Sequence, residues 1–471
     1  LILLKNRIGL ILFASLKYQE IEKLWRGEIM SKLFISSCLL YFLSFCLALS
    51  VFSKPLARNL SHETSAPETI VFSNFNKPVI LLKAEKEANN KLTLDQLKYS
   101  PGEKRKQLFH VVDSNMSVVL SNSLIVKTNK SLKPAKINRL HSAIHQVTPI
   151  FAGKLFDFYL VELEEFRFMQ AALNFLAKIK GIELVQPDIL QLRRNYAQSV
   201  KVPASGLSKG YSLDNYLTRI NIASLWQHSK GEGVKIAIID DGFNLNHPEL
   251  QHIQPHFSYD LESQTLTSNP RYQQDNHGTK VAGIIFAAHD GKGIEGIAPE
   301  AKLIALRHSD TWTSKTVLSF QLAQLASADV INCSWISRWL LQPVADVVNE
   351  MAVHGRNGKG TAVVFAAGNQ GKEITPNSTE AAISGALVVS AHNDKGLRIA
   401  TSNYGQFSDL LIYGQKAKTS SKSGGWDNFS GTSLAAAVTS GLAALLLSQF
   451  PQLTLQELKN HLLLLSRRNY L

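Results

Sequence analysis

Apolar and polar positions divide this chain into a few distinct stretches. Residues 33–49 are almost wholly apolar, follow the first methionine, Met30, and the basic Lys32, and end in Ala48-Leu49-Ser50. That order predicts a secretory signal over residues 30–50, cleaved after a small-residue site, with the membrane met only transiently during export. A membrane anchor is the alternative, because about 17 apolar residues lie near the lower limit for a span. Residues 1–29 read either as an N-terminal extension or as an upstream artefact. Residues 51–117 are polar, rich in Lys, Asn and Ser, and weakly periodic, which predicts a linker or poorly ordered stretch.

Residues 118–194 alternate more compactly. Residues 118–126 read as a strand, and 134–144 as a helix opened by Pro134. Two strands follow at 147–151 and 156–163. Residues 168–179 carry apolar side chains at helical spacing, and 182–192 close with a strand. The order βαββαβ is that of a ferredoxin-like α+β unit. Residues 195–215 read as a loop, with Ser, Gly, Lys and Pro203. From Val234 onward strands and helices alternate, which predicts an α/β domain over 216–471: a parallel sheet with helices on both faces.

A length of 471 residues accommodates more than one domain, and 45% hydrophobic with 18% charged residues describes a core-forming protein. The net charge of +13 raises a nucleic-acid role, so its location matters. Residues 1–210 hold 29 Lys+Arg against 16 Asp+Glu, while 211–471 hold 21 against 21. A nucleic-acid enzyme carries its basic patch on the working domain, which here is neutral, so no nucleic-acid partner is expected. Cys38 and Cys46 fall in the apolar leader, leaving Cys333 alone in the rest of the chain. With the leader removed, neither an internal disulfide nor a cysteine zinc site is expected, and Cys333, in an apolar run, reads as a buried thiol.

Four short motifs bear on chemistry. Residues 234–239 form an unbroken apolar run ending in Asp240-Asp241-Gly242, with Asn246-His247-Pro248 beyond. A carboxylate at the end of a parallel strand stands on the working edge of an α/β sheet. His277-Gly278-Thr279 opens an apolar helix, where a structural histidine is the plainer reading. Gly431-Thr432-Ser433 opens a helix apolar nearly all round, where the serine could be a cap. Residues 361–367 are another buried strand, ending in Gly368-Asn369.

Together, in this order, the four motifs resemble the subtilisin-like serine peptidases over roughly residues 216–465. Gly293-Ile294-Glu295-Gly296-Ile297-Ala298-Pro299 and Ser402-Asn403-Tyr404-Gly405 match as well. The chain order Asp, His, Ser is that of subtilisin and differs from chymotrypsin and the α/β-hydrolases. The resemblance implies a secreted serine endopeptidase, with Asp240, His277 and Ser433 as triad and Asn369 in the oxyanion hole. It also implies substrate pairing along Ser334-Trp335-Ile336 and against Gly368. The 118–194 unit becomes an inhibitory pro-domain, cut away within 195–215, and the partners are protein or peptide substrates. No cofactor is required. Structural calcium, bound by Glu249 and Asp290, is the possible exception, with two solvated acids as the alternative.

Several positions depart from the family pattern. Asp241 stands where a small hydroxyl residue is usual; it either disturbs the proton affinity of the Asp–His pair or faces solvent, and solvent is the expectation. Leu434 replaces methionine, Ala437 replaces proline, Lys280 replaces histidine, and Ile336 replaces glycine. A catalytically silent binding relative is the rival reading, disfavoured by the intact Asp240, His277, Asn369 and Ser433. A nucleotide-binding protein is a weaker rival, because residues 355–361 lack the lysine-then-hydroxyl ending of a phosphate loop.

Overall fold

The computed structural model describes residues 65–84, 106–191, 193–194, 217–218 and 220–468. The expected extension, the expected signal and nearly all of the expected processing loop lie outside these residues.

The N-terminal unit opens with strands β1 (Thr69–Asn74), β2 (Lys77–Lys83) and β3 (Lys106–Val111), joined antiparallel in that order to β4 (Ser117–Asn129). The first three strands fall within 51–117, so the linker expectation is corrected for residues 69–83 and 106–111. In β1, Ile70 and Phe72 turn inward while Thr69, Val71 and Ser73 turn outward. A two-residue period in so polar a stretch is hidden from composition.

Next come α1 (Pro134–Ile137), β5 (Ile144–Ala152), β6 (Phe156–Leu163), α2 (Met169–Leu176) and β7 (Ile182–Leu190). From β4 to β7 the order is strand, helix, strand, strand, helix, strand. Helix α1 is one turn, shorter than the residues 134–144 expected, because the amides of Arg139 and Leu140 bond three residues back and tighten the chain out of the helix. The 13 residues of β4 serve both edges. β3 pairs with its first half and β6 with its second, while β7 runs along the other side. The two-residue strand β8 (Arg193–Arg194) then leaves the unit.

The larger unit runs α3 (Ile222–Trp226), β9 (Lys235–Asp240), β10 (Phe257–Asp260), α4 (His277–Phe286), β11 (Lys302–Arg307) and α5 (Thr313–Leu325). It continues with β12 (Val330–Cys333), β13 (Ile336–Ser337), α6 (Gln342–Gly358), β14 (Ala362–Ala366), β15 (Leu387–His392) and β16 (Leu410–Tyr413). A hairpin, β17 (Ala417–Ser420) with β18 (Trp426–Phe429), precedes α7 (Thr432–Gln449) and α8 (Leu455–Arg468). Seven strands form one parallel sheet in the order β10-β11-β9-β12-β14-β15-β16. After β9 the chain lays β10 at the edge of one side and β11 between it and β9, then crosses to place β12 on the other side. That reversal opens a crevice at the C-terminal end of β9, the customary site of function in such sheets.

Alternation along the strands divides the core. Ile236 and Ile238 of β9 point to the face covered by α4 and α7, with Val281, Ala435 and Val438. Ala237 and Ile239 point to the face covered by α5 and α6, with Val317, Phe320 and Val348. Each fully buried isoleucine contributes about 1.5–3 kcal/mol. Helix α7 is long and apolar enough to cross a membrane, but 83% of it is buried inside the protein, where it is the central core helix. Cys333 is buried in the α5/α6 layer.

The two units share material. Ile125, Phe151, Phe156, Phe158 and Leu184 of the smaller sheet belong to the same apolar cluster as Phe320 and Val344 of α5 and α6. The smaller unit also caps both helices. Asp188 accepts from Ser314 N at 2.9 Å and Ser314 Oγ at 2.7 Å, at the start of α5. Burial pushes its carboxyl up to about 6 despite those bonds. Asn74 Oδ1 accepts from Gln342 N at 2.9 Å, at the start of α6. Side-chain oxygens at these places satisfy first-turn amides that have no partner within the helix.

Candidate active site

Strand β9 delivers Asp240, buried, to the crevice at its C-terminal end. Both Asp240 carboxylate oxygens lie 2.9 Å from Nδ1 of His277, the first residue of α4. Phe429 stands edge-on to the imidazole, with centroids 5.4 Å apart. The other ring nitrogen, Nε2, is buried without a partner among the described residues. Burial alone would lower the proton affinity of His277. The hydrogen-bonded Asp240 carboxylate, with Asp241 behind it, outweighs that and raises it above the ordinary imidazole value, while Lys280 opposes.

Ser433 is the second residue of α7 and is buried. Its Oγ donates to the carbonyl of Ser334 at 2.9 Å. No hydrogen bond joins it to His277. The structure therefore brings Asp240 and His277 together and leaves the serine hydroxyl turned to Ser334. Such contacts commonly tighten only when substrate arrives.

Asn369 is fixed by its carbonyl oxygen, which accepts from Thr432 N at 3.0 Å and Thr432 Oγ1 at 3.1 Å. Its Nδ2 is thereby left buried and without a partner among the described residues. Gly431, at φ 90°, lets the two segments meet: a Cβ there would stand 2.9 Å from Asn369 Nδ2. The amide donor of Asn369 thus faces the start of α7, where Ser433 N, as a first-turn amide, has no acceptor within the helix. Two donors converging beside a hydroxyl can stabilise a developing oxyanion.

Ser334, Trp335 and Ile336 follow β12 and are all buried. Ser334 Oγ donates to Asn332 Oδ1 at 2.9 Å, and Trp335 Nε1 to the carbonyl of Ile239 at 2.7 Å. Ile336 and Ser337 pair antiparallel with Arg194 and Arg193, so this edge carries an added strand from the chain's own N-terminal half. Ile336 reaches across to Gly368, where a Cβ would stand 2.6 Å from its Cδ1.

Glu249 and Asp290 lie at the far end of α4. Glu249 Oε1 accepts from Ile294 N at 3.2 Å and Trp426 Nε1 at 3.3 Å, and Asp290 Oδ1 accepts from Lys292 N at 2.9 Å. Burial first, and the Asp290 charge in addition, raise the Glu249 carboxyl. Carboxylate oxygens are the donors that a hard cation takes. Among the described residues no group of three or more His, Cys, Asp or Glu is placed to hold a metal ion.

The expectation that Asp241 faces solvent is corrected. Its Oδ2 accepts from Asn276 N and His277 N, both at 3.0 Å, and its Oδ1 from Gly278 N at 2.8 Å. The uncapped amides of α4 draw the carboxylate in. Lys280 is buried and paired with Asp427 at 3.1 Å, while Leu434 and Ala437 are buried in the core. Two supports were not anticipated. Arg307, beside Asp240 in the sheet register, is buried and bonds Asp260, Glu262 and Asp275. Asp275 in turn accepts from Arg271 N and Tyr272 N, anchoring the loop that leads to His277. Glu380, also buried, accepts from Ser337 N at 2.6 Å and braces the strand edge.

The model of the subtilase family matches residues 231–467. The chain belongs to the subtilase family. Among its relatives, a calcium-dependent protease of Nostoc sp. is 32% identical over 287 residues, covering 51% of this subtilase and 42% of that protein. Subtilisin E of Bacillus subtilis is 28% identical over 306 residues, covering 62% and 72% respectively. The solved structure of MycP3 protease from the type VII (ESX-3) secretion system is 25% identical with a TM-score of 0.47, covering 56% of this chain and 83% of that one. This subtilase spans under half the length of the calcium-dependent proteases of Nostoc sp. and Trichormus variabilis, 42% and 48%.

Proposed function

We propose that this subtilase is a serine endopeptidase acting on proteins or peptides through an acyl-enzyme on Ser433. The observation that carries the proposal is the Asp240–His277 pair, held at 2.9 Å, with Nε2 unpartnered. Serine is a weak nucleophile at neutral pH and needs a base during attack. Ser433 Oγ turns from the Ser334 carbonyl, gives its proton to His277 Nε2 and bonds the scissile carbon. His277 then protonates the leaving amine, and a water repeats the cycle on the ester. Asp240 holds the imidazole tautomer and stabilises its charged form. Asn369 Nδ2 and Ser433 N take the oxyanion. A fluorophosphonate probe tests this: it should label the wild type on Ser433, and a wild type that stays unlabelled would be a silent binding relative instead.

We further infer export and synthesis as a self-processed zymogen. The apolar residues 33–49 support export, which N-terminal sequencing of the exported protein checks. The pairing of Arg193–Arg194 with Ile336–Ser337 supports self-processing, because it lays the end of the smaller unit on the edge assigned to substrate. The cut is expected beyond Arg194, within 195–215, and the 118–194 unit is expected to inhibit until it leaves.

Substrate pairs as an added strand along Ser334, Trp335 and Ile336, with alternate side chains entering pockets. Ile336 is fully buried with its Cδ1 against Gly368, and on this reading its branched side chain narrows the first pocket. Residues with small or slender side chains should therefore be preferred before the cut, with poor cleavage after Phe or Tyr. Opening the site with Ile336→Gly should shift discrimination by about 10–200-fold toward larger residues. Peptides differing only at that position read the shift, and a wild type that already prefers large aromatics would show the pocket to be built otherwise.

Calcium at Glu249 and Asp290 is proposed as structural. Excess calcium should raise the melting temperature over a chelated sample, by the equivalent of about 2.7 kcal/mol at a hundred times the dissociation constant. Equal melting temperatures would rule the ion out.

A further inference from the structure

Asp240 and Asp241 are neighbours in sequence that grip one histidine in two ways. Asp240 takes the ring at Nδ1. Asp241 takes the main chain, accepting from the amides of Asn276, His277 and Gly278 at 2.8–3.0 Å. We propose that Asp241 is a positioning residue for the reaction, clamping the backbone of His277 so that its ring is held against Asp240.

The geometry favours more than a helix cap. An ordinary cap serves amides of its own helix from the residue just before it. Here the cap comes from the residue just after β9, 36 residues away from His277, and is tied to the carboxylate that orients the ring. The Asp241 main-chain amide also donates to Asp240 Oδ1 at 2.8 Å, locking the two acids together. Any shift of one therefore moves ring and backbone together. The charged groups around them are Asp240 on β9, His277 and Lys280 on α4, and Asp427 on β18. Asp427 holds both Lys280 and Asn276 Nδ2. The Lys422 ammonium is turned away, to the carbonyls of Tyr272 and Gln273. Burial, then the adjacent Asp240, push the Asp241 carboxyl up to about 7, against the pull of His277 and the amides. When ionised, Asp241 in turn raises the proton affinity of the His277 imidazole.

The proposal rests on the peptidase reading, and the test separates the two. Asp241→Asn keeps an acceptor and removes the charge, and Asp241→Ser places a short uncharged cap. The acid limb of kcat/KM should move to lower pH in both, since a negative charge beside the imidazole is lost, and kcat should fall more than KM rises. Nuclear magnetic resonance titration of the His277 ring, in the Ser433→Ala background where no turnover is needed, should move the same way. An unmoved ring titration with a lowered melting temperature would make Asp241 a structural cap only. Failure of both variants to fold would overturn the proposal likewise. A wild type with no peptidase activity would defeat the peptidase reading and leave the ring titration to judge Asp241.

Discussion

Ser433→Ala should lower kcat by about 10⁶-fold with little change in KM, a magnitude known for subtilisin itself and borrowed here. The reason is mechanistic unity: without the hydroxyl, the base His277 has no proton to take and Asp240 has no imidazolium to stabilise. Some acceleration over water, about 10³–10⁴-fold, should survive from the oxyanion donors and substrate binding. The variant should also accumulate as uncut precursor, so its kinetics require cutting in trans by an added protease. Wild type made in a protease-free system should instead release a fragment starting within 195–215. Equal maturation of the alanine variant would show that this site does not cut its own chain.

Asn369→Ala should lower kcat by about 10²–10³, or ~2.7–4 kcal/mol, a figure taken from the matching donor of subtilisin rather than from this chain. Binding of substrate should be nearly unaffected, because Nδ2 is aimed at the charge that develops during the reaction. The side chain also ties Thr432 to the end of β14 through its Oδ1. A melting curve accompanying the kinetics separates that loss from the loss of the donor. An unchanged turnover number would remove Asn369 from the oxyanion hole.

The parts of the site that were legible in sequence share one property. Asp240, His277, Asn369 and Ser433 each lie where a buried strand ends or a buried helix begins, so an apolar run with polar punctuation announces them. Their partners did not announce themselves. The amides bonded by Asp241 are 35 to 37 residues away in sequence, so nothing local marks that carboxylate as drawn inward. Arg307 and Glu380 act across the fold in the same fashion, each buried only because distant groups answer its charge or hydrogen bonds. In the smaller unit, β4 to β7 stood out because long apolar strands dominate it. Strand β1 did not, since half its residues face water and its inward pair, Ile70 and Phe72, amounts to two side chains. The hydroxyl of Ser433 bonds the Ser334 carbonyl across 99 residues, which nothing local in the sequence marks.

Under the proposed self-processing, the apolar cluster common to Phe151, Phe158, Phe320 and Val344 would give maturation two clocks. Breaking one peptide bond beyond Arg194 changes nothing in that cluster, nor in the oxygens that Asp188 and Asn74 lend to α5 and α6. The severed unit would stay seated, held by the contacts that held it before, with its last strand still on the edge meant for other chains. The first clock is chemical and runs at the speed of one cleavage. The second is mechanical and runs at the speed with which a folded body lets go or is dismantled. Latency in this enzyme would then outlast the cut, and the first molecule to lose its partner could shorten the wait for its neighbours.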